Sequence, residues 1–145
     1  MCALLLCVLP LTGAAEPTKE DKAKNGFENL QGVWRFVSIE LDGKVIEFKQ
    51  GAPNFNMVVT GTKFTFGKTE GEIVLNPLAT PPAIDLRYAK PEEATVVGIY
   101  KLDGDTLALC LKRGKGEAKD RPTEFATKGT TEVEIRTYKR DKPKK

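Results

Sequence analysis

Short runs of alternating apolar and polar residues follow residue 32, and they predict β-strands. The runs are rich in Val, Ile, Thr and aromatic residues, and Gly, Asp, Asn or Pro separates them at intervals of about ten residues. No helical periodicity of useful length interrupts them, which favours antiparallel strands joined by hairpins. The predicted strands are Val33–Leu41, Lys44–Phe48, Asn56–Thr60, Lys63–Phe66, Glu72–Leu75, Ala83–Tyr88, Thr95–Leu102, Thr106–Lys112 and Glu132–Lys139.

The turns between these strands predict which side chains share a face. Asp42-Gly43 and Gly61-Thr62 suit two-residue turns that need positive φ. The second turn sets Met57 opposite Phe66 and Val59 opposite Phe64 on one apolar face.

A third turn, at residues 103–105, and the alternation of the last strand extend this assignment. A loop of two or four residues there places Tyr100 and Leu102 on the same face as the next strand's leucines, Leu107, Leu109 and Leu111. On the last strand we expect a dry face and a wet face. The dry face is predicted to hold Val133, Ile135 and Thr137, and the wet face Glu132, Glu134 and Arg136.

A flat sheet of these strands would leave two open edges, and closure into a barrel removes both. We therefore predict an all-β, antiparallel up-and-down barrel of about 8–9 strands, with a short N-terminal helix or turn that ends near Leu30. At this size the interior has room for side chains and for one small ligand.

The first fifteen residues have the pattern of a secretory signal. An apolar run from Ala3 to Leu11 is followed by small residues up to Ala15, and the first charge is at Glu16. The run is too short to cross a bilayer, although it lacks a basic start. We expect cleavage near Ala15, an extracytoplasmic location (periplasm or secreted), and a mature chain with no transmembrane segment. Leucines precede Cys7 where a lipid anchor needs small residues, which disfavours lipidation.

These patterns divide the chain into four parts: a signal peptide at 1–15, a polar tether at 16–29, the barrel domain at 30–140 and a basic tail at 141–145. The total of 145 residues suits one domain. The net charge of +3 is too small to indicate nucleic acid, and the basic runs lack the interleaved aromatic residues of an RNA-binding surface.

Composition narrows the chemistry further. The chain has no histidine, which excludes Ser-His-Asp and Cys-His pairs and every His-ligated metal site. We therefore predict no enzyme activity, no catalytic residues, no metal and no cofactor. Once the signal is removed, Cys110 is the single thiol, so the mature chain forms no internal disulfide. Cys110 lies between two leucines in mid-strand, where we expect it to be inert.

Three segments together carry a family resemblance: Leu30-Gln31-Gly32-Val33-Trp34, the stretch from Gly98 to Leu107, and Arg121-Pro122-Thr123-Glu124-Phe125. With Tyr138-Lys139-Arg140 at the end of the last strand, they resemble a lipocalin-like domain family of unknown function that is abundant in planctomycete bacteria. The resemblance covers Leu30 to Arg140 and implies a secreted or periplasmic barrel. It also implies that Trp34 closes the barrel base with an arginine of the last strand, Arg140 or Arg136, packed across it. The family carries no established activity or ligand.

Several residues are candidates for a binding site or for structural roles. Trp34 and Phe36 share a face and would either line a ligand cavity or, as we favour, plug the barrel floor. The candidate wall of a ligand cavity, or else of a filled core, is made of Phe64, Phe66, Tyr100 and Leu109.

Two polar groups leave alternatives open. Asp85 and Arg87 project to one side of a strand, either inward to fix a ligand head group or outward, which the apolar residues opposite favour. The segment from Arg121 to Phe125 is either a lid or a strap across the barrel end. As a strap it would bury Phe125, turn at Pro122 and pair Arg121 with Glu124.

Two functions follow from this barrel. The first is binding of a small apolar or amphipathic ligand inside the barrel, outside the cytoplasm. The second is a structural or protein-interaction module of the cell envelope with a filled core, whose partner protein the sequence does not name. A cavity of several hundred Å³ would favour the first function, and a filled interior the second.

Overall fold

A computed structural model describes residues 13, 15–16, 18–50, 52–90 and 92–142. The predicted signal at 1–15 therefore lies almost wholly outside the described residues, as do Cys7 and residues 143–145 of the predicted tail. The described part contains one α-helix and nine β-strands, joined by turns and loops. They are α1 (Lys19–Leu30), β1 (Gly32–Leu41), β2 (Lys44–Glu47), β3 (Met57–Thr60), β4 (Lys63–Phe66), β5 (Thr69–Asn76), β6 (Ala83–Lys90), β7 (Ala94–Asp103), β8 (Thr106–Lys112) and β9 (Val133–Arg140).

Eight of the strands close into an antiparallel barrel. Strands β3 to β9 pair in sequence order, and β1 joins β3 to β9 and so closes the sheet. Strand β2 is the ninth, a hairpin partner that pairs with the second half of β1 beside the barrel wall. The predicted all-β, antiparallel barrel with a short N-terminal helix is confirmed.

The predicted registers of two hairpins are also confirmed. Across β3 and β4, Met57 pairs with Phe66 and Val59 with Phe64. Across β7 and β8, the two-residue turn at Gly104-Asp105 sets Tyr100 against Leu109. In both hairpins the apolar members of these pairs face the barrel interior, because the turn length fixes the parity of each pairing.

Strand β1 changes register in the middle. Phe36 pairs with Tyr138 of β9, but Ser38 pairs with Thr137, so Val37 forms a β-bulge with no partner across this pair. The extra residue shifts the alternation, and the inward positions become Trp34 and Phe36 below the bulge and Ile39 above it.

The predicted faces of the last strand are wrong. Glu134 is buried and pairs with Leu111, and Arg136 pairs with Leu109, so both charged residues share the interior with the leucines of β8. Ile135 pairs with Cys110 on the outer face. An outer position can be apolar because the segment that precedes β9 covers this part of the wall.

That covering segment spans residues 117–130, between β8 and β9, and we call it the outer strap. It begins beside β6 and β7, where Arg121 donates hydrogen bonds to the carbonyls of Ile84 and Gly98. It ends at the β1–β2 hairpin, where Thr127 donates to Glu40 and accepts from the backbone N–H of Gly43. The segment therefore lies along the outer wall and not across the barrel end as the sequence suggested.

Helix α1 closes one end of the barrel. Thr18 caps its N-terminus and forms a reciprocal capping box with Asp21, which satisfies backbone N–H groups of the first turn. The helix ends at Leu30, which is buried in the core together with Trp34. Gln31 then exchanges two hydrogen bonds with the backbone of Gly61 in the β3–β4 turn. The β3–β4 turn thus marks the closed end, and the β4–β5 turn lies at the opposite, open end.

Candidate functional site

The closed end is built around Trp34 and Arg140. The indole N–H of Trp34 donates to the Leu30 carbonyl over 2.8 Å, and the ring is fully buried. The guanidinium carbon of Arg140 lies 4.3 Å from the centroid of the indole ring. The structure therefore brings together the two residues that the family resemblance paired, and it places Arg136 elsewhere.

The four candidate wall residues separate into two groups. Tyr100 and Leu109 lie in the packed core, with 7% and 0% of their surface exposed, and they line neither of the two large cavities described below. Phe64 is 1% exposed and borders a cavity in the side wall, whereas Phe66 is partly exposed and lines a cavity at the open end. The closed half of the barrel is thus filled by side chains, and free space remains toward the open end.

The cavity at the open end, which we call the mouth cavity, has a volume of about 530 Å³. Its inner surface is formed by Phe66 of β4, Tyr88 of β6 and Arg136 of β9. Its rim comes from the segment before β3 and from the β4–β5 turn: Asn54, Phe55, Gly67, Lys68 and Thr69. The volume lies within the range of small-molecule sites, and the lining combines aromatic rings with a cation.

A second cavity of about 500 Å³ lies against β5 and the neighbouring strands β4 and β6. It shares Tyr88 with the mouth cavity, and its other neighbours include Phe64 and Gly71. A Cβ at Gly71 would lie 2.2 Å from the Arg87 carbonyl oxygen, so only glycine fits there. The Phe64 and Tyr88 rings both border this cavity and meet edge to face, with 5.2 Å between their centroids.

An ion-pair chain lies beside the mouth cavity. Arg136 contacts Oε1 of Glu134 through both Nε and Nη2. Oε2 of Glu134 lies 3.8 Å from Nε of Arg113. Burial opposes the charge on Arg136, but Glu134 and the neighbouring phenols outweigh this effect, so the pKa of Arg136 is raised and its guanidinium remains charged.

Beneath this chain, Tyr138 presents an unsatisfied hydroxyl. The residue is fully buried, and its hydroxyl has no described partner within 3.5 Å. Its ring contacts Phe66 and Phe36 edge to face at centroid distances of 6.1 Å and 5.4 Å. Burial raises the pKa of Tyr138, and the charge and hydrogen bonding of the neighbouring Arg136 guanidinium act in the opposite direction.

The predicted strap residues lie on the outer wall, away from both cavities. Arg121 forms an ion pair with Asp85, with 2.7 Å between Nη2 and Oδ1, and it does not pair with Glu124, whose side chain is exposed. Asp85 therefore points outward, as the sequence favoured. Pro122 and Phe125 are partly buried under this segment.

Cys110 lies beneath the outer strap. Its thiol is buried and donates to the Glu124 carbonyl over 3.4 Å. Burial raises the pKa of the thiol to about 11, so it stays protonated and unreactive at neutral pH.

Sequence reasoning found Phe66 but missed the other inner residues of the mouth cavity, Tyr88 and Arg136, and the buried Tyr138. The alternation of β9 had assigned Arg136 to the wet face. The pairing of β9 with β8 indicates the correct faces. Once the leucines of β8 are placed inside, antiparallel pairing places Glu134, Arg136 and Tyr138 inside as well.

Two kinds of feature are absent from the described residues. No group of three or more Cys, Asp or Glu side chains there is arranged to hold a metal ion. No described helix has both the length and the apolar character needed to span a bilayer.

The chain was also compared with known proteins. No family model matches it, and neither the curated proteins nor the solved structures include a significant match.

Proposed function

We propose that this protein is a lipocalin-like binding protein that holds a small amphipathic molecule in the mouth cavity, outside the cytoplasm. The observation that carries the proposal is the contrast between the two ends of the barrel. Side chains and α1 fill the closed end, whereas the open end keeps a cavity of about 530 Å³ between Phe66, Tyr88 and Arg136. A site with two aromatic rings and one cation suits a ligand with an apolar body and a polar group.

We propose binding rather than catalysis because the polar groups at the mouth are arranged to hold charge in place. Glu134 is fixed between two arginines, Arg113 and Arg136, so it is poorly suited to act as a base. No nucleophile activated by a neighbouring base is found among the side chains that line the mouth cavity.

Fluorescence titration of the purified full chain with N-phenyl-1-naphthylamine, a neutral probe that brightens in apolar sites, tests the proposal. We expect saturable binding. Thr69→Trp places a large ring in the mouth cavity and should weaken binding about tenfold, a loss of about 1.4 kcal/mol. The matched control is Thr60→Trp, at an exposed position of β3 near the closed end, which should bind the probe normally. Absence of saturable binding, or equal weakening by both variants, would reject the mouth cavity as a binding site.

The proposed extracytoplasmic location is supported by the apolar run and small residues of the first fifteen positions. Expression of the full chain in a bacterial host, followed by fractionation and N-terminal sequencing, tests it. We expect a product that starts near Glu16 in the periplasm or medium. An uncleaved product confined to the cytoplasm would contradict the proposal.

A second function, a structural or protein-interaction module, is favoured by a different observation. Val45 and Ile46 on β2 are 58% and 48% exposed, on a hairpin that projects beside the barrel. Exposed apolar residues on an edge strand are typical of contact surfaces. Val45→Lys separates the two functions: it should leave probe binding intact, and it should abolish a protein interaction if that is the role of the hairpin.

A further inference from the structure

We propose that the outer wall of the barrel carries a second site, which binds a phosphate monoester through the cations of Arg35, Lys49 and Lys139. This inference goes beyond ligand binding at the mouth, because the mouth cavity and the cavity of this site have no described lining residue in common. It follows from a pair of like charges in the sheet, from the lack of acidic partners and from the cavity that the three cations border.

The pair of like charges is formed by Arg35 of β1 and Lys139 of β9. The two residues are direct partners across antiparallel strands, and both side chains are exposed. Like charges directly opposite each other destabilise a sheet. The other pairs of charged partners in the described strands all join opposite charges: Lys63 with Glu72, Glu72 with Arg87, and Glu70 with Lys90. Arg35 and Lys139 therefore depart from the pattern of this sheet, and an anion bound between them would remove the repulsion.

The chain supplies no acidic partner to these cations. The described residues include every Asp and Glu of the sequence, and none of these carboxylates forms an ion pair with Arg35, Lys49 or Lys139. Arg140, the next residue after Lys139, does pair with Asp105. Three cations thus remain available to an anion from outside the chain.

All three cations border one cavity of about 200 Å³ on the outer wall. The bulge residue Val37 and the adjacent Phe48 also line it. The backbone N–H of Phe48 donates to the Val37 carbonyl over 2.8 Å, and this contact holds the segment that carries Lys49 beside β1. The β-bulge therefore brings a lysine from the segment after β2 to the pair formed by β1 and β9.

The charge of this cavity matches that of a phosphate monoester. Besides the three cations, Glu47 is the one charged residue among the described residues of the lining, so the net charge is three minus one, two positive. At about pH 8 a phosphate monoester carries close to two negative charges, and its three terminal oxygens are strong hydrogen-bond acceptors. A carboxylate or a phosphate diester carries only one charge and would leave half of this excess unneutralised. The match therefore favours the monoester.

NMR titration of the ¹⁵N-labelled full chain with glycerol 3-phosphate, at about pH 8 and constant ionic strength, tests the inference. We expect saturable shifts of the amide signals of Val37, Lys49 and Lys139, and none with glycerol. Dimethyl phosphate, a diester with one charge, should need a concentration about tenfold higher for half-saturation, because it loses one charge and two of the terminal acceptors.

Charge-removing variants locate the site. Lys139→Gln should weaken binding of glycerol 3-phosphate about fivefold, the effect of one exposed ion pair. Combination with Arg35→Gln should abolish saturation. The matched control is Lys63→Gln combined with Arg87→Gln, which removes the same net charge from the opposite-charge pairs of β4, β5 and β6 and should bind normally. Binding of N-phenyl-1-naphthylamine at the mouth should be unchanged in both double variants, so this test is independent of the proposed function.

A phosphate monoester can be a soluble ester or the headgroup of phosphatidic acid, and sedimentation with vesicles separates the two. Vesicles of phosphatidylcholine with phosphatidic acid that bind the full chain and the control, but not the double variant at Arg35 and Lys139, would identify the headgroup. Binding of glycerol 3-phosphate without vesicle binding would identify a soluble ester. Shifts that do not saturate with glycerol 3-phosphate, or equal weakening by the two double variants, would overturn the site.

Discussion

Arg140 and Trp34 are direct partners across β9 and β1, and the arginine covers the indole with 4.3 Å between its guanidinium carbon and the ring centroid. The same guanidinium donates to the carbonyls of Gln31 and Asn29 at the end of α1, over 2.8 Å and 2.6 Å. One side chain thus joins the first strand, the last strand and the helix that closes the barrel. A cation at this position also suits the partial negative charge at the C-terminus of a helix.

Arg140→Ala should lower the free energy of unfolding by about 2–3 kcal/mol, because it removes the cation–π contact and two charge-assisted hydrogen bonds. Urea denaturation followed by the fluorescence of Trp34, the single tryptophan, measures this. The control is Lys139→Ala at the adjacent exposed position, which should change the free energy by less than about 0.5 kcal/mol. Equal effects of the two variants would contradict the role assigned to Arg140.

The inward ion pair of β9 predicts strong coupling between Glu134 and Arg136. Arg136→Leu leaves the buried Glu134 with Arg113, 3.8 Å away, as its one remaining described partner, and should lower the free energy of unfolding by about 3–5 kcal/mol. The double replacement Glu134→Leu and Arg136→Leu should cost clearly less than the sum of the two single ones, since it leaves no uncompensated charge. A double-mutant cycle by chemical denaturation measures the coupling. If the effects of the two single replacements simply add, the two side chains do not stabilise each other as a buried ion pair.

The outer strap should control access to Cys110. Arg121→Ala removes the ion pair to Asp85 and two hydrogen bonds to the barrel wall, so the segment should open more often. We expect alkylation of Cys110 by iodoacetamide to become about tenfold faster, as a loss of about 1.4 kcal/mol in the closed form implies.

Peptide mapping by mass spectrometry separates Cys110 from Cys2 and Cys7 in this measurement. The matched control is Lys119→Ala, in the same segment, whose ion pair with Glu117 is exposed at both ends and should contribute little. Unchanged alkylation of Cys110 in Arg121→Ala would mean that the segment is held by other contacts.

Stability should fall at high pH through the same thiol. Burial raises the pKa of Cys110 from 9.0 to about 11, so the folded protein holds this proton more tightly than the unfolded chain does. The corresponding stabilisation is complete below pH 9 and is lost as the pH rises toward about 11. Tyr138 and Tyr100, whose pKa values are also raised by burial, add a loss in the same direction at higher pH.

Comparison with Cys110→Ala isolates the contribution of the thiol. Between about pH 8 and about pH 11, the free energy of unfolding of the unmodified protein should fall by about 1–2 kcal/mol more than that of the variant. Parallel curves would show that Cys110 titrates as it does in the unfolded chain.

The strands and their pairings could be predicted because the signals that define them are local. Asp42-Gly43 forms the predicted turn with positive φ at both residues, 48° and 73°. Gly61-Thr62 likewise fixes the register of Phe64 and Phe66 through turn length alone. Each turn depends on residues within a few positions of one another, so the local sequence predicts both the turn and the register of its strands.

The inner face of β9 could not be predicted from its own alternation. Glu134 and Arg136 have the polarity of a wet face, and their burial is stabilised by contact with each other and with Arg113. The opposite face is apolar at Ile135 because the outer strap lies over that part of the wall. One cause is the ion pairing of charged side chains, and the other is the covering of the wall by a different segment of the chain. Hydrophobic periodicity along β9 depends on neither.

The β-bulge at Val37 gives β1 two different alternations on one strand. Without the bulge, continuous alternation through Val37 would turn Ile39 and Leu41 toward solvent and Ser38 and Glu40 toward the interior. The hairpin to β2 and the anchor of the outer strap at Glu40 would be misplaced together. Gain or loss of a residue elsewhere in β1 would therefore reverse the faces of one half of the strand, whereas loss of Val37 itself would leave the inward residues in place.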